Sequence, residues 1–385
     1  MSTVRLFQCP RRTLIGVGAA ERLPDEVKRL GARRPAIITD PGVAASPGFR
    51  IVTEALEKAG LSCPVFSGVI PEPPFEVLDE STPFARQAQA DLLIGLGGGS
   101  SMDVAKMTAL LLANAGDPRS FYGTDKVPKP GIPTILMPTT AGTGSEVTNI
   151  AIFKDRKEKL KKGIVTDFNY CQTAILDPRL TASMPPDVTA ATGLDALVHA
   201  IECYISVNAT DMTDTFALRS VTVASRYLRR AVRHGDDMEA REKLQVACLM
   251  SALAFGNAGV CGVHALSYPL GGRHDVPHGV ANALMMVPVL RFNRKACPGR
   301  YRDLAMAWGL DVTGLTTEQA VERFLAALAQ LTQDVGVPLR LREVGVTEDA
   351  LPAMADAAIT VTRLLANNPC PIPREDALRI YCEAF

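Results

Sequence analysis

Short apolar runs alternate with helical patterns over the first half of the chain. Apolar runs that are bounded by glycine, proline or polar residues predict buried strands. Such strands are predicted at residues 35–40, 63–66, 91–96, 134–138 and 172–176. Helical spacing of apolar residues predicts helices at residues 51–59 and 102–114. This alternation is typical of a parallel sheet that is covered by helices on both faces.

The pattern changes near residues 184–187, where strand-like runs nearly disappear. Beyond this point leucine, alanine, methionine and charged residues recur at helical spacing. The first three helices predicted there span residues 187–204, 213–232 and 240–255. We therefore predict an α/β domain over residues 1–185 and an all-helical domain over residues 186–385.

Composition narrows the class of protein. The chain has 385 residues, of which 47 % are hydrophobic, and its formal net charge is zero. Zero net charge provides no basic footprint for nucleic acid or an anionic membrane, and no apolar run has the length of a membrane span. Residues 1–12 carry no signal-peptide pattern, and nine scattered cysteines argue against a disulfide framework. We expect a cytoplasmic protein that binds neither nucleic acid nor membranes.

Four side chains in the helical half have the spacing of a metal site. Asp195 and His199 are four residues apart, so that on a helix they share one face and can bind one ion. We expect the helix that carries His264 to be broken at Pro269 and the glycines that follow it. The chain then turns back, and His278 opens the next helix. Three imidazoles and one carboxylate suit Fe²⁺ or Zn²⁺ and leave a position for a substrate oxygen.

Each of these pieces has an ordinary explanation when it is taken alone. An Asp and a His four residues apart on a helix are most often a surface or core pair, and His264 alone fits a hydrogen-bonded core histidine. Their combination in one half of the chain favours a metal site. His274 lies four residues before His278 and is a rival ligand; we expect it to lie next to the ligands or to face the substrate instead.

Two loops rich in glycine and hydroxyl groups follow predicted strands. Gly97–Ser101 opens a helix, where backbone N–H groups and the helix N-terminus favour a phosphate. Its spacing differs from the Gly-x-Gly-x-x-Gly pattern of dinucleotide-binding proteins, and alone it fits a plain tight turn equally well. Residues 138–146 form the second loop, so we expect a nucleotide at the carboxyl ends of these strands. Asp40 ends another predicted strand, where its carboxylate either accepts a ribose 2′-hydroxyl and repels a 2′-phosphate or simply ends the strand in a turn.

These motifs together resemble the iron-containing (group III) alcohol dehydrogenases. They comprise residues 97–106, 138–146, 193–202 and 264–279, in the same order and over nearly the whole chain. The resemblance implies a Rossmann-like parallel-sheet domain followed by an all-α domain, the fold shared with dehydroquinate synthase. It implies Fe²⁺, with Zn²⁺ as the alternative, bound by Asp195, His199, His264 and His278. The implied NAD contacts are Asp40, Gly97, Gly98, Gly99, Ser100, Ser101, Asp103, Thr139, Thr140, Thr143 and Lys161.

The resemblance also implies reversible hydride transfer between NAD and a primary alcohol or aldehyde. Asp40 matches the position that the family links to NAD rather than NADP. Three positions depart from the family pattern: Tyr268 stands where many members have a second histidine, His274 where an aromatic residue is common, and Glu72 where asparagine is common. Tyr268 and His274 line the implied substrate pocket. Three groups are therefore candidates for moving the proton, the ribose hydroxyl of the cofactor, Tyr268 and His274, and of these we favour His274 as the catalytic residue.

Other functions fit the same residues. A hydroxyacid–oxoacid transhydrogenase would pass hydride between two substrates on a captive cofactor. A cyclase or lyase of the dehydroquinate-synthase type would regenerate NAD internally, and it would need a basic pocket for which Arg273 is the one strong candidate near the ligand loop. A non-catalytic binding protein is disfavoured by the complete ligand set. We expect a small alcohol or aldehyde as the substrate, and a homodimer or higher homo-oligomer.

Overall fold

The chain folds into strands in its first half and helices in its second. The computed structural model describes residues 4–158 and 160–385, so that the first residues of the N-terminal segment lie outside the described part. The strands are β1 (Thr13–Ile15), β2 (Pro35–Ile38), β3 (Val65–Phe66), β4 (Leu92–Gly97), β5 (Gly123–Thr124), β6 (Thr134–Pro138), β7 (Ile150–Asp155), β8 (Leu160–Val165) and β9 (Thr173–Leu176). The helices are α1 (Leu23–Arg29), α2 (Pro41–Ala44), α3 (Pro47–Lys58), α4 (Leu78–Gln87), α5 (Gly99–Ala113), α6 (Pro186–Ile205), α7 (Asp211–Arg233), α8 (Met238–Ala258), α9 (Gly262–His274), α10 (His278–Asn293), α11 (Pro298–Trp308), α12 (Thr317–Asp334), α13 (Leu351–Ala358), α14 (Thr362–Leu365) and α15 (Arg374–Ala384).

Six strands form one parallel sheet in the order β1-β9-β6-β4-β2-β3. The central strands are buried along their whole length, which explains their continuous apolar runs. From β2 the chain passes to β3 at one edge of the sheet. It then returns to β4 on the other side of β2 and continues through β6 to β9 toward the opposite edge, so the strand order reverses between β2 and β4. Loops that leave the carboxyl ends of strands at such a reversal form a crevice suited to a ligand.

The five predicted strands are present as β2, β3, β4, β6 and β9, and the parallel sheet is confirmed. The sequence pattern missed the short edge strand β1 and a second sheet in the order β5-β8-β7, in which β7 and β8 pair antiparallel. Strand β8 includes Lys161, Lys162 and Gly163, and these residues interrupt the apolar run that would have predicted a strand. Helix α3 begins earlier than predicted because Ser46 Oγ accepts a hydrogen bond from the Phe49 N–H and caps the helix.

The chain divides into two compact units. The first is Gln8–Met184 and contains both sheets, and the second is Pro185–Phe385 together with the N-terminal residues up to Phe7. Within its described residues the second unit contains helices and no strand, which confirms the helical second half. The apolar core of the first unit joins the sheet to its helices through residues such as Val27, Ile37 and Val52, each fully buried.

The prediction that the helix carrying His264 breaks at Pro269 is wrong. Helix α9 continues through Pro269 and the glycines after it and ends at His274. Proline in a helix interior removes a hydrogen bond and costs about 3 kcal/mol, but this helix is buried along nearly its whole length, and its packing outweighs that cost. The Tyr381 hydroxyl also donates to the Leu266 carbonyl, 2.6 Å away, in the turn that precedes the proline.

The cysteines and the apolar character of the helices, both noted in the sequence, can be compared with the structure. The nine cysteines are free thiols, of which Cys171, Cys203, Cys248 and Cys261 are buried. Among the described residues, no helix taken singly combines the length and the apolar character that a bilayer crossing requires. Helices α8 and α9 meet those criteria only as a pair, and that pair is bent by 102°.

Candidate functional site

Helix α6 carries the first two ligand candidates on one buried face. Asp195 and His199 lie one turn apart and are 2 % and 5 % exposed. Their spacing brings His199 Nε2 to 4.0 Å from Asp195 Oδ1. The imidazole of His199 stacks on Phe255 of α8 with ring centroids 4.1 Å apart, so its ring plane is held by packing.

Helices α9 and α10 bring two more imidazoles to the same carboxylate. His264 Nε2 lies 3.0 Å from His199 Nε2 and 3.7 Å from Asp195 Oδ1. His278 Nε2 lies 3.8 Å from the same oxygen, and its side chain is 30 % exposed. The ligand atoms of Asp195, His199 and His264 all lie within 4.8 Å of one another. The structure thus brings the four predicted side chains together, and His278 is the most exposed of them.

A glycine allows α10 to approach α6 closely. A β-carbon at Gly279 would lie only 2.3 Å from the backbone oxygen of Ala191, one turn before Asp195. No side chain fits in that gap, so only glycine permits this contact. Because His278 directly precedes Gly279, the contact sets the imidazole beside the ligand face of α6.

Glu202 is a buried carboxylate that the sequence analysis did not single out. It lies on α6 seven residues after Asp195, and it is fully buried. Its Oε2 lies 2.5 Å from His264 Nδ1, and its Oε1 accepts a hydrogen bond from the Val263 N–H, also at 2.5 Å. The signal was available, because a residue seven positions after a ligand shares its helix face.

Asn282 is a second buried polar residue that sequence reasoning missed. Its Nδ2 lies 2.6 Å from Asp195 Oδ1, 3.0 Å from His264 Nε2 and 3.3 Å from His278 Nε2. An amide nitrogen has two hydrogens, so it cannot satisfy three acceptors at once. Its Oδ1 is buried and has no hydrogen-bond partner in the described chain. The ligand cluster therefore holds more acceptors than its donors can serve.

The electrostatics of this cluster fit a cation. Burial alone would raise the pKa of Asp195, but the neighbouring imidazoles and the Asn282 amide outweigh burial and lower that pKa. Neither Asp195 nor Glu202 forms an ion pair with a lysine or arginine among the described residues. Buried charges are normally paired or bind a metal. Two buried carboxylates without a lysine or arginine partner leave a negative charge that a divalent ion would balance, so the donor set of carboxylate and imidazole groups fits Fe²⁺ or Zn²⁺.

The two proton-transfer candidates lie at different depths. Tyr268 is on α9, is 9 % exposed, and has its ring centroid 6.4 Å from that of His278. His274 is the last residue of α9 and is partly exposed. Partial burial and the neighbouring Arg273 lower the pKa of His274, which keeps the ring neutral at physiological pH. Arg273 itself is exposed, so it does not form a buried phosphate pocket.

In the first unit, the predicted nucleotide residues converge at the carboxyl ends of β2, β4 and β6. Ser101 Oγ donates a hydrogen bond to Asp40 Oδ2 at 3.2 Å. The Thr139 N–H donates to the Gly97 carbonyl at 2.9 Å. Asp40 also accepts a hydrogen bond from the Val43 N–H and caps α2. It therefore ends the strand in a turn and contacts the glycine loop through Ser101 as well.

The start of α5 has the features of an anion site. The chain enters it through Gly97 at φ +152°, and a β-carbon there would lie 2.5 Å from Ser101 Oγ. Gly98 precedes the helix without a side-chain cap, so the first-turn N–H groups are available to a phosphate. Thr143 packs so closely on Gly99 that a β-carbon there would lie 3.0 Å from its methyl group. The buried Thr140 hydroxyl has no hydrogen-bond partner in the described chain, as expected for a group that awaits a ligand.

Asp103 lies beneath this loop and is fully engaged by the protein. Its Oδ1 accepts from Ser145 Oγ at 2.6 Å, and its Oδ2 accepts from the Ile152 N–H at 2.9 Å. Lys106 Nζ, fully buried, lies 3.7 Å from Asp103 Oδ1 and donates to Ser145 Oγ at 2.8 Å. The geometry therefore connects Asp103 to the second loop, and its direct contact with a cofactor stays a prediction.

Lys161 forms an ion pair with one of the residues that depart from the family pattern. Its Nζ lies 2.8 Å from Glu72 Oε1, and the two side chains are 7 % and 26 % exposed. Glu72 has φ +50°, a conformation that is uncommon for residues other than glycine. Its N–H donates to Ser100 Oγ at 3.2 Å, so Glu72 joins Lys161 to the glycine loop.

These features define a class: a chain with a glycine-rich loop of nucleotide-binding type on a parallel sheet, and an acid–imidazole cluster in a helical unit that could hold a metal ion. Residues 10–178 match the family model for iron-containing alcohol dehydrogenases, and residues 189–385 match that for the C-terminal part of the Fe-containing alcohol dehydrogenase family. The chain belongs to the iron-containing alcohol dehydrogenase family, and it is an oxidoreductase that acts on alcohols.

Individual relatives agree with this assignment over at least 92 % of their lengths. The chain is 42 % identical to long-chain-alcohol dehydrogenase 1 of Geobacillus thermodenitrificans, over 100 % of this chain and 98 % of that protein. It is 36 % identical to the NAD-dependent methanol dehydrogenase of Bacillus methanolicus, over 91 % of this chain and 92 % of the relative. A crystal structure of 1,3-propanediol oxidoreductase matches with a TM-score of 0.97 and 34 % identity, and each chain is covered completely.

Proposed function

We propose that this protein is an NAD-dependent alcohol dehydrogenase and aldehyde reductase whose ion, Fe²⁺ or alternatively Zn²⁺, is bound by Asp195, His199, His264 and His278. The observation that carries the proposal is the convergence of three imidazole nitrogens on one buried aspartate oxygen that has no lysine or arginine partner within the described chain. The named activities of the relatives, on long-chain alcohols, methanol and 1,3-propanediol, support a primary alcohol or its aldehyde as the substrate.

NAD is the proposed nucleotide. The open N–H groups at the start of α5 suit its pyrophosphate. We propose that the hydroxyl groups of Thr140 and Thr143 and the ammonium group of Lys161 bind its phosphate or ribose. Asp40 has a carboxylate beside the glycine loop that repels a 2′-phosphate, which favours NAD over NADP. The NAD dependence of the methanol dehydrogenase relative supports the same choice.

The protein's own groups orient the reactants and move the proton. When bound, the ion supplies a Lewis acid and the nicotinamide a hydride acceptor or donor. Asp195, His199, His264 and His278 would hold that ion in one place, and no protein nucleophile is needed. We assign proton transfer to or from the substrate hydroxyl to His274, whose lowered pKa leaves it neutral and able to accept a proton. Tyr268, which lies beside His278, is the alternative.

The protein is proposed to work in the cytoplasm as a homodimer or higher homo-oligomer on a small alcohol or aldehyde. The neutral net charge supports the absence of nucleic-acid and membrane partners.

Metal analysis and turnover of anaerobically purified protein test the proposed function. We expect one divalent ion per chain and consumption of free NADH with aldehydes ranging from short to long chains. Asp195→Asn should abolish both ion binding and turnover, whereas Asp303→Asn, on α11, should change neither. A parent protein that retains no divalent ion, or that turns over without consuming free NADH, would contradict the proposal.

Replacement of His274 by Phe tests the proton role. We expect a lower kcat and a changed pH profile with an unchanged metal content. If turnover and the pH profile match those of the parent, His274 has no such role, and Tyr268→Phe becomes the next variant to measure.

A further inference from the structure

Glu202 continues the ligand face of α6 by one more turn. Asp195, His199 and Glu202 stand at positions i, i+4 and i+7 and therefore point to the same side of the helix. The first two face the imidazoles of the other helices with atoms that can bind an ion. Glu202 faces the opposite ring nitrogen of His264, and its Oε2 lies 2.5 Å from Nδ1.

We propose that Glu202 is a positioning residue for the ion, and this inference rests on the proposed metal-dependent function. A carboxylate accepts hydrogen bonds, so its contact at 2.5 Å requires His264 to have its proton on Nδ1. In the neutral ring, which is the form that binds a metal, the Nε2 of His264 then has the lone pair. That lone pair faces Asp195 Oδ1 and His199 Nε2 at 3.7 and 3.0 Å, where an ion would be bound.

The second oxygen of Glu202 fixes the backbone as well as the ring. Its Oε1 accepts from the Val263 N–H at 2.5 Å. Val263 is the second residue of α9, and its N–H lacks a partner within that helix. One carboxylate thus holds both the start of α9 and the imidazole that follows, so His264 has its orientation before any ion arrives.

The charge of Glu202 also favours a function over a purely structural role. It is fully buried and has no lysine or arginine partner among the described residues. A buried charge is costly, and an apolar side chain of similar volume is usually at least as stabilising when its partner can be changed too. The carboxylates of Asp195 and Glu202 together would balance the two positive charges of one divalent ion.

Glu202→Gln and Glu202→Asp separate orientation from charge. Gln keeps the size of the side chain but can accept from only one of the two donors with its single oxygen. Asp keeps the charge but is one methylene shorter and cannot reach both donors. Removal of such an outer carboxylate typically weakens metal binding 10–100-fold, and we expect a loss in that range for both variants. The control is Glu239→Gln, a surface residue of α8.

The primary readout is the Kd for Zn²⁺, measured by competition with a chromophoric chelator, and the second is the absorption spectrum of the Co²⁺-loaded protein. Binding within threefold of the parent and an unchanged Co²⁺ spectrum for both variants would overturn the inference. Parent-like affinity in Glu202→Asp alone would show that only the charge matters and would overturn the positioning role. If Glu202→Gln does not fold, Glu202→Asp alone decides.

A purely structural role predicts another result. The melting temperature of the metal-free protein would fall, while the folded fraction would bind Zn²⁺ as tightly as the parent. Failure of the proposed function is recognised separately, because the parent would then retain no ion and consume no NADH with aldehydes. If the parent retains its ion and consumes NADH with aldehydes, and the Glu202 variants bind Zn²⁺ with the Kd of the parent, only the inference about Glu202 is refuted.

Discussion

Replacement of Lys106 by Met removes a buried cation beneath the nucleotide loop. The Met side chain keeps the length of Lys up to the terminal carbon but lacks Nζ. Lys106 Nζ donates to Ser145 Oγ, the Thr148 carbonyl and the Ile150 carbonyl at 2.8, 3.2 and 2.8 Å. Three acceptors for one nitrogen match the three hydrogens of an ammonium. Burial lowers the pKa of Lys106, and the attraction of Asp103 opposes part of this effect.

The magnitude follows from the groups that Met leaves behind. Asp103 would stay buried without its cation, and removal of one partner of a buried ion pair costs about 3–5 kcal/mol. The Ile150 and Thr148 carbonyls would also lose a donor, at about 1–3 kcal/mol for each group left unsatisfied. Relaxation recovers part of the sum, so we expect a loss of about 4 kcal/mol. For a unit of about 180 residues this corresponds to a fall in Tm of about 8–16 °C.

Urea unfolding and calorimetry measure this loss. Lys58→Met is the matched control, because Lys58 is 80 % exposed and pairs with Glu54 only at 3.8 Å; it should change stability by less than about 0.5 kcal/mol. The double variant Asp103→Asn, Lys106→Met should be more stable than the sum of the two single losses predicts, by about 1–3 kcal/mol. A loss below about 1 kcal/mol for Lys106→Met, or strict additivity in the double variant, would refute the reasoning.

Three further perturbations test other parts of the structure. Gly279→Ala places a β-carbon 2.3 Å from the Ala191 carbonyl, so we expect a loss of about 1–3 kcal/mol in unfolding free energy and a lower ion content by elemental analysis, since His278 moves with α10. Burial raises the pKa of Glu146 to about 7 from an unfolded value of 4.5, so ionisation destabilises the folded state increasingly as pH rises from about 4.5 to 7. Glu146→Gln should therefore gain stability over the parent, by up to about 3 kcal/mol at pH 8 and by nearly nothing at pH 4.5; a constant difference across urea titrations at these pH values would contradict this. Asp40→Asn keeps an oxygen for the Val43 N–H but loses the charge, and the ratio of kcat/KM for NADP to that for NAD should rise about tenfold.

The central sheet and the ligand pairs were predictable because their signals are local. A strand buried on both faces, such as Leu92–Gly97, needs a continuous apolar run. The pair Asp195 and His199 needs only the helical repeat. Both patterns are complete within a few residues of sequence, so neither depends on knowing the fold.

The features that were missed depend on tertiary contacts. Pro269 is a strong local signal for a helix end, but the burial of α9 along nearly its whole length overrides it. The pairing of Lys161 with Glu72 joins residues 89 positions apart, and polar strands of a small sheet bring them together. A one-dimensional pattern carries no information on such pairings.

Glu202 combines a local sequence signal with tertiary contacts, so part of its role was predictable from the sequence and part was not. Its partners on α9 lie 61 and 62 residues away, beyond any periodic pattern. Its position relative to Asp195 is nevertheless local, and a residue at i+7 on a buried ligand face must also be buried. A carboxylate there requires hydrogen-bond donors, and the face already points at imidazoles from other helices. The presence of an orienting acid was therefore inferable from the helical repeat alone, whereas the identity of the histidine that it orients required the fold.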